Sequence, residues 1–437
     1  MRGLFFAAAI AVAALGGCYV ADGPGYQSTY SAQATVAPSG DPYAAPGAYA
    51  AYRRAAELAP GGEEFERCIA QAVFAGWNAR LAEEVSPLID RFGARLRGSH
   101  QLTREERGEV EVIVVELAHA LAGGRADAAE CHAMIENGSL TPRQALRVAI
   151  SGIQAADQDY DSRSVAAIAE VVKGLPIEDA YSHHLARQVS MVHAISTGRL
   201  ERGCNLAAEE LAWICRDLPA KDRCRPLLSS RVPFWFDCDF ERVEQIINAT
   251  RMALRSYAGT IDALRTEDVY ATHCLDMMRL DEAENAIGET SELAKACGFR
   301  GLQENFAELK IRLRIARVDE SVADAVSAEL RRGAPLDACA RHRTFALCNA
   351  VVGLARVHDL PAVEAAVVEL ECHWERLRRS CPFDYAVVAL AIGWRHLNRR
   401  GQAVKLLGEY AAAGRVAAHP PSPFVAALAK EFKLKLD

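Results

Sequence analysis

The sequence DQDYD at positions 157–161 comes closest, in residue types and spacing, to a metal site. Alternate aspartates in a turn between helices are how a calcium-binding loop collects hard oxygen ligands. Such a loop needs a glycine at its sixth position and a bidentate glutamate at its twelfth, where this chain has Ser162 and Ile168. A calcium site on Asp157, Asp159 and Asp161 is therefore only the alternative. The preferred interpretation is an acidic turn that caps the next helix.

Other patterns that carry chemistry are missing from the sequence. It contains no HExxH, GxSxG or CxxC motif and no phosphate-binding glycine loop. Histidine and cysteine are neighbours at three places, but adjacent residues of a helix point about 100° apart and do not chelate one ion. We therefore predict no catalytic residue, no metal ion and no cofactor.

Two groups of residues are candidates for contact with a partner. Trp235 lies between two phenylalanines, which suggests an exposed aromatic contact. Arg395, Arg399 and Arg400 give the last part of the chain a basic end. Solvated helix ends are the simpler interpretation of these arginines, and contact with acidic partners or anionic lipid headgroups is the alternative.

The first residues have the pattern of a targeting segment. A positive Met1-Arg2 precedes a twelve-residue apolar run from Leu4 to Leu15, which is too short to span a bilayer. The next residues, Leu15-Gly16-Gly17-Cys18, resemble the bacterial lipobox. The resemblance implies that residues 1–17 are a cleaved signal peptide and that Cys18 carries acyl chains such as palmitate. An ordinary secretory signal is the alternative.

The residue after Cys18 bears on location. In the lipobox family an aspartate at this place favours retention in the inner membrane, and this chain has Tyr19. The resemblance therefore implies an anchor in the outer membrane of a bacterial envelope, facing the periplasm, with exposure at the cell surface as the alternative. Two or three acyl chains are needed for a stable anchor.

Composition divides the rest of the chain into two parts. The 437 residues carry a formal net charge of −7, so the sequence lacks the basic surplus of a nucleic-acid-binding protein. Between residues 19 and 52 the chain is rich in glycine, proline, alanine and serine, and its only charges are Asp22 and Asp41. We therefore expect a lipidated, disordered linker over residues 18–54 and a helical-repeat domain over residues 55–437.

Breaks between helical stretches recur along the domain. From residue 55 onward apolar residues recur at intervals of three and four, and strand candidates are scarce. The breaks are 36 to 42 residues apart, near Glu84, Gly124, Tyr160, Glu201, Asp239, Asp281, Asp319, Leu360 and Gly401. This spacing predicts an all-α right-handed solenoid of about nine helical hairpins, each of about 40 residues.

The predicted units resemble tetratricopeptide repeats. The last unit carries the resemblance best, through Leu390, Ala391, Trp394, Ala403 and Leu407. Each unit of this chain is longer than the about 34 residues of that family. The resemblance implies a superhelix with a concave face that binds an extended partner.

The cysteines fit a set of disulfides. Without Cys18, twelve of the 13 cysteines remain, an even number that suits an exported chain. Residues at equal distances from a hairpin turn lie level with each other, which places two nested pairs about position 360 and two about position 220. We predict the pairs Cys348–Cys372, Cys339–Cys381, Cys215–Cys224, Cys204–Cys238, Cys274–Cys297 and Cys68–Cys131. Buried free thiols are the alternative.

These features predict a non-catalytic, membrane-anchored lipoprotein that offers a groove to an envelope protein or peptide. The alternative is a periplasmic glycan lyase or hydrolase on an α/α toroid. That enzyme would need a deep site lined by aromatics, histidine and paired carboxylates. An open superhelix favours the first function, and a closed one with tyrosine, histidine and arginine meeting at its centre favours the second.

Overall fold

The computed structural model describes most of the helical-repeat domain. It covers residues 50, 52–54, 57, 64–78, 82–121, 127–177, 179–218, 223–254, 261–296, 300–319, 321–332, 339–378, 383–412 and 420–436. The lipobox with Cys18, nearly all of the predicted linker, Cys297 and Cys381 lie outside these residues. The described residues contain helices and no strand, which confirms the all-α prediction.

Nineteen helices follow one another in the described ranges. They are α1 (Phe65–Asn78), α2 (Ala82–Arg97), α3 (Arg104–Leu121), α4 (Ala128–Glu136), α5 (Pro142–Gln158), α6 (Ser162–Lys173), α7 (Ala180–Ser196), α8 (Leu200–Asp217), α9 (Cys224–Phe236), α10 (Phe240–Leu254), α11 (Ile261–Asp276), α12 (Leu280–Ala296), α13 (Arg300–Ala316), α14 (Val322–Arg332), α15 (Ala340–Arg356), α16 (Leu360–Leu377), α17 (Asp384–His396), α18 (Arg400–Ala412) and α19 (Pro423–Glu431). No helix in these ranges is both long and apolar enough to cross a membrane.

The helices follow one another as nine pairs, from α1/α2 to α17/α18; the two members pack on each other as a hairpin in eight of these pairs, all but α3/α4, and α19 packs on the last pair. Each first helix of a hairpin also contacts the first helix of the next hairpin, from α1 and α3 through to α17 and α19. The first helices therefore form a continuous inner layer. Paired helices therefore recur along the described part of the chain.

The turns inside the last six hairpins recur with a constant period. Six residues with positive φ are spaced 40 residues apart: Gly198, Cys238, Met278, Val318, His358 and Asn398. The N–H of the next residue donates back to the helix, as from Asp239 to the Phe234 carbonyl at 2.9 Å and from Asp359 to Leu354 at 3.3 Å. This is the Schellman motif, which ends a helix on a left-handed residue. It is the physical basis of the 40-residue period.

The superhelix winds tightly enough for its successive turns to touch. Helix α5 contacts α15, five hairpins later, and α11 contacts α19. Apolar residues of α1–α3 share one core with residues of α11–α13, again five hairpins apart. One superhelical turn therefore takes about five hairpins, and the first helices line its axis.

Burial follows from this packing. In α15 the segment 350–355 is buried, and in α17 so is the segment 385–393. A helix that is apolar all round is stable only when its neighbours cover every side. The aromatic-rich sequence from Val232 to Phe240 favours an irregular or extended segment. In the structure residues 232–236 instead continue α9, with Pro233 inside the helix, so this expectation is wrong.

Candidate functional site

Charged side chains from five first helices meet at the superhelix axis. We call this set the axial charge cluster. Its members are Asp157, Arg231, Asp268, Asp276, Glu308, Arg312 and Arg341, from α5, α9, α11, α13 and α15. Charges are rare in a helical interior unless they are paired, so this cluster is the candidate site.

Asp276 lies at the centre of the buried part of the cluster. It accepts hydrogen bonds from the buried Arg312 guanidinium and, at 2.9 Å, from Nε1 of Trp235. The Arg312 guanidinium also lies 4.5 Å above the ring of Phe424 and 5.3 Å above the ring of Tyr385. Five helices are thereby joined through one buried ion pair.

Asp157 and Asp159 join α5 to α15. Arg341 donates to the Asp157 carboxylate at 2.6 Å, and the Ala340 N–H donates to Asp159 Oδ1 at 2.9 Å. Cys339, which precedes α15, supplies no side-chain cap of its own. Asp159 therefore caps a helix five hairpins away in the sequence. We call these two contacts the inter-turn clamp.

The third aspartate of the acidic sequence has a local role. Asp161 caps α6 by accepting from the Ser164 N–H at 3.1 Å and from its hydroxyl at 2.6 Å. The three carboxylates thus serve three different partners. The described residues contain no group of side chains that could hold a metal ion. The structure gives no support to calcium at Asp157, Asp159 and Asp161, and it confirms a helix-capping role for Asp161.

Burial perturbs the charges of the cluster. It raises the pKa of Glu308 to about 8, although Arg312 nearby acts in the opposite direction. Burial also raises the pKa of Asp268 to about 6, against a hydrogen bond from Asn305 and the charges of Arg231 and Arg265. The pKa of Arg231 falls to about 10 because burial outweighs the attraction of Asp268 and Asp276. Burial therefore favours the neutral form of the Glu308 carboxyl group.

The line of charges continues toward the N-terminal hairpins. Arg147 on α5 pairs with Glu109 and Glu116 of α3, each at 2.6 Å. Nε1 of Trp77 also donates to Glu116 at 2.7 Å. Further along, Arg225 on α9 pairs with Asp262 on α11 at 2.9 Å. Ion pairs between first helices therefore occupy the inner surface of the superhelix.

The sequence analysis missed this cluster, although the repeat period carries a signal for it. Asp268 and Glu308 are 40 residues apart and hold the same place in α11 and α13. The next two hairpins have Cys348 and Val388 at that place. Alignment of the repeats on their turns would have shown two carboxylates at a position that is apolar at Leu228, Cys348 and Val388.

The residues predicted to contact a partner differ in their surroundings. Trp235 is not an exposed contact: its ring packs on Phe236, at 5.1 Å between centroids, and near Phe383 at 6.2 Å. That prediction is wrong because the superhelical winding brings α17 over α9.

The three arginines of the last hairpin lie at its turn. Arg395 donates to the Lys433 carbonyl, and Arg399 pairs with Glu371 at 3.2 Å. Arg400 is exposed. Of the three, Arg400 is the side chain that its position leaves most open to a partner.

The predicted disulfides that lie within the described residues do not form in the structure. Cys348 and Cys372 are free thiols, because the first is buried in the core and the second is exposed. Cys68 and Cys131 are free thiols in different cores, and Cys215 is also free, which excludes its pairing with Cys224.

The remaining cysteines complete the correction. The Cys204 thiol lies 3.6 Å from the Pro233 carbonyl, and the Cys238 thiol donates to Asp384 at 3.2 Å, so these two do not join each other. The predicted partners of Cys339 and Cys274, which are Cys381 and Cys297, lie outside the described residues. Cys274 and Cys339 themselves are free thiols, so these two predicted pairs are wrong as well.

Comparison with known proteins adds no family to this picture. No protein-family model matches the sequence, and no curated protein matches it.

Proposed function

We propose that this chain is a lipid-anchored protein of the bacterial envelope whose repeat domain is a non-catalytic scaffold for a protein or peptide. The lipobox-like Leu15-Gly16-Gly17-Cys18 supports the anchor. The stacked helix pairs support the scaffold, because such arrays offer a long surface built from repeated elements. In this proposal the acyl chains hold the protein in the outer membrane, with the scaffold in the periplasm.

One observation carries the choice of surface. The axial charge cluster and the inter-turn clamp fill the inner face with internal contacts, such as Arg341 to Asp157 and Arg312 to Asp276. A partner would have to break these ion pairs to bind in a concave groove. The proposed binding surface is therefore the outer face of the second helices together with the edges of the superhelix.

Crosslinking in intact envelopes tests this proposal. The wild-type chain and Cys18→Ala are crosslinked in cells of the source bacterium, and the captured proteins are identified by mass spectrometry. We expect the wild-type chain to resist extraction by high salt and to dissolve with detergent, whereas Cys18→Ala is released by salt. A Cys18→Ala variant that still needs detergent would overturn the anchor, and a wild-type chain that captures no specific partner would overturn the scaffold.

The axial carboxylates favour a second candidate function, a glycan-active enzyme. Burial raises the pKa values of the Asp268 and Glu308 carboxyl groups, and the charge of Asp268 raises the pKa of Glu308 further. Raised pKa values are a property of catalytic acids. Tyr385 and Arg312 lie close by. The test is turnover of envelope glycans by the wild-type chain and by Glu308→Gln. Turnover that Glu308→Gln abolishes without loss of fold would favour the enzyme, and no turnover by the wild-type chain would exclude it.

A further inference from the structure

The last hairpin turns lie side by side and form one continuous surface. We call it the turn edge, and its outward residues are Val318, Val357, Leu360, Arg400, Lys433 and Lys435. Ring contacts connect neighbouring turns, from His358 to His396 at 5.3 Å and from His396 to Phe432 at 5.8 Å. Arg356 adds a hydrogen bond to the Ile315 carbonyl at 2.8 Å. Four consecutive turns are therefore held at fixed positions relative to one another.

The turn edge exposes three large aliphatic side chains. Val318 is 60% exposed, Val357 is 49% exposed and Leu360 is 47% exposed. They come from two successive turns, which the Arg356 hydrogen bond to the Ile315 carbonyl holds side by side. Exposed apolar groups of this kind commonly mark a contact with a protein or a membrane.

Basic side chains lie beside this apolar group. Arg400, Lys433 and Lys435 are exposed, and none of them makes an ion pair within the described part of the chain. Arg395 contributes a fourth cation, whose hydrogen bond goes to a backbone carbonyl rather than to a carboxylate.

The carboxylates near the turn edge are occupied. Glu431 pairs with Arg356 at 2.7 Å, and Asp319 pairs with Arg314 at 2.8 Å. Asp359 caps α16 by accepting from the Ala362 N–H at 3.2 Å. The last two turns therefore present a positive surface on a chain whose net charge is −7.

We propose that the turn edge docks on the surface of an anionic lipid bilayer. Aliphatic groups that enter the headgroup region, flanked by lysine and arginine, match the chemistry of such a surface. The negative remainder of the chain is repelled by anionic lipid, so only this edge faces the membrane. The inference goes beyond the acyl anchor: the acyl chains hold the protein at the membrane, and the turn edge sets its orientation there.

Vesicle binding tests the docking separately from acylation. The chain from residue 18 onward, carrying Cys18→Ser, cannot be acylated and is floated with vesicles of phosphatidylglycerol and phosphatidylethanolamine. We expect binding that weakens with salt, and no binding to phosphatidylcholine vesicles. Failure of the acyl anchor leaves this result unchanged, so the two proposals fail independently.

Charge reversal locates the binding surface. The triple variant Arg400→Glu, Lys433→Glu, Lys435→Glu should lower partition into anionic vesicles by about tenfold or more, because each cation near such a surface contributes measurably. The matched control reverses three exposed cations in the last turns of α2, α6 and α12, at the opposite edge: Arg97→Glu, Lys173→Glu and Lys295→Glu. It should change partition by less than about twofold, since charges beyond a Debye length are screened. Thermal melts confirm that both variants fold.

Three results would overturn the proposal. The first is no binding of the unmodified edge to anionic vesicles, and the second is an equal loss in both triple variants, which would reflect net charge alone. The third is a turn-edge triple variant that partitions into vesicles like the wild-type chain but no longer crosslinks to an acidic envelope protein. That result would assign the edge to a protein partner. A further variant, Val357→Ser with Leu360→Ser, should also weaken binding, by about fivefold.

Discussion

The substitution Arg341→Met removes one half of the inter-turn clamp and tests whether the superhelix is held closed by charge. In the structure Arg341 donates to Asp157 at 2.6 Å, and the two side chains are 23% and 12% exposed. Methionine keeps most of the side-chain volume and leaves the Asp157 carboxylate without its cation.

The expected magnitude follows from this partial burial. Removal of one partner from a buried ion pair costs about 3–5 kcal/mol, and an exposed pair contributes about 0–1 kcal/mol. The intermediate exposure of Arg341 and Asp157 places the expected loss at about 2–3 kcal/mol. The double variant with Asp157→Asn should recover part of this loss, because the uncompensated charge is then absent.

Two measurements check this prediction. Urea unfolding gives the change in free energy, and hydrogen exchange should show faster exchange in the first turn of α15, where Ala340 is capped by Asp159. The control is Arg314→Met, whose pair with Asp319 is 37% exposed on each side, and it should cost less than about 1 kcal/mol. An equal, small loss in both variants, with unchanged exchange in α15, would refute the clamp.

The remaining predictions concern single side chains. Burial raises the pKa of Glu308 from 4.5 to about 8, so between these pH values the folded state binds more protons than the unfolded state. The free energy of unfolding should therefore fall as pH rises through this range. Glu308→Gln should make this fall smaller, as measured by urea unfolding at the low and high ends of the range. Asp159→Ala removes the cap on α15 and should cost about 1 kcal/mol by urea unfolding. Val318→Gly should raise the melting temperature, because a β-branched residue with a φ of 57° is strained, which costs about 1 kcal/mol. Iodoacetamide should label the exposed Cys372 in the native protein and the buried Cys348 only after unfolding; rapid native labelling of Cys348 would contradict the packing of α15.

The repeat architecture could be predicted from the sequence, because each hairpin turn leaves a local signal. Breaks were expected near Tyr160, Glu201 and Asp239, and the structure has left-handed turn residues at Tyr160, Gly198 and Cys238. The constant period was harder to see, because five of the six turn residues that are 40 apart are not glycine. The hydrogen bonds of the Schellman motif hold these residues in a conformation that their side chains disfavour.

The inner contacts could not be predicted, because they depend on the winding of the superhelix. Nothing local to Asp157 or Trp235 indicates that α15 and α17 will pack against them five and four hairpins later. Two residues at equal distances from a hairpin turn lie level with each other, but this does not determine whether their side chains point toward each other. Cys348 and Cys372 lie at equal distances from their turn, yet one faces the core and the other the solvent.

The intact mass of the N-terminal peptide, measured on protein purified from bacterial envelopes, tests the proposed function most directly. The account predicts a mature chain that begins at Cys18 and carries acyl groups on its sulfur and its amino group. A mature chain that begins at another residue, or an unmodified Cys18, would contradict the anchor on which the proposed scaffold depends.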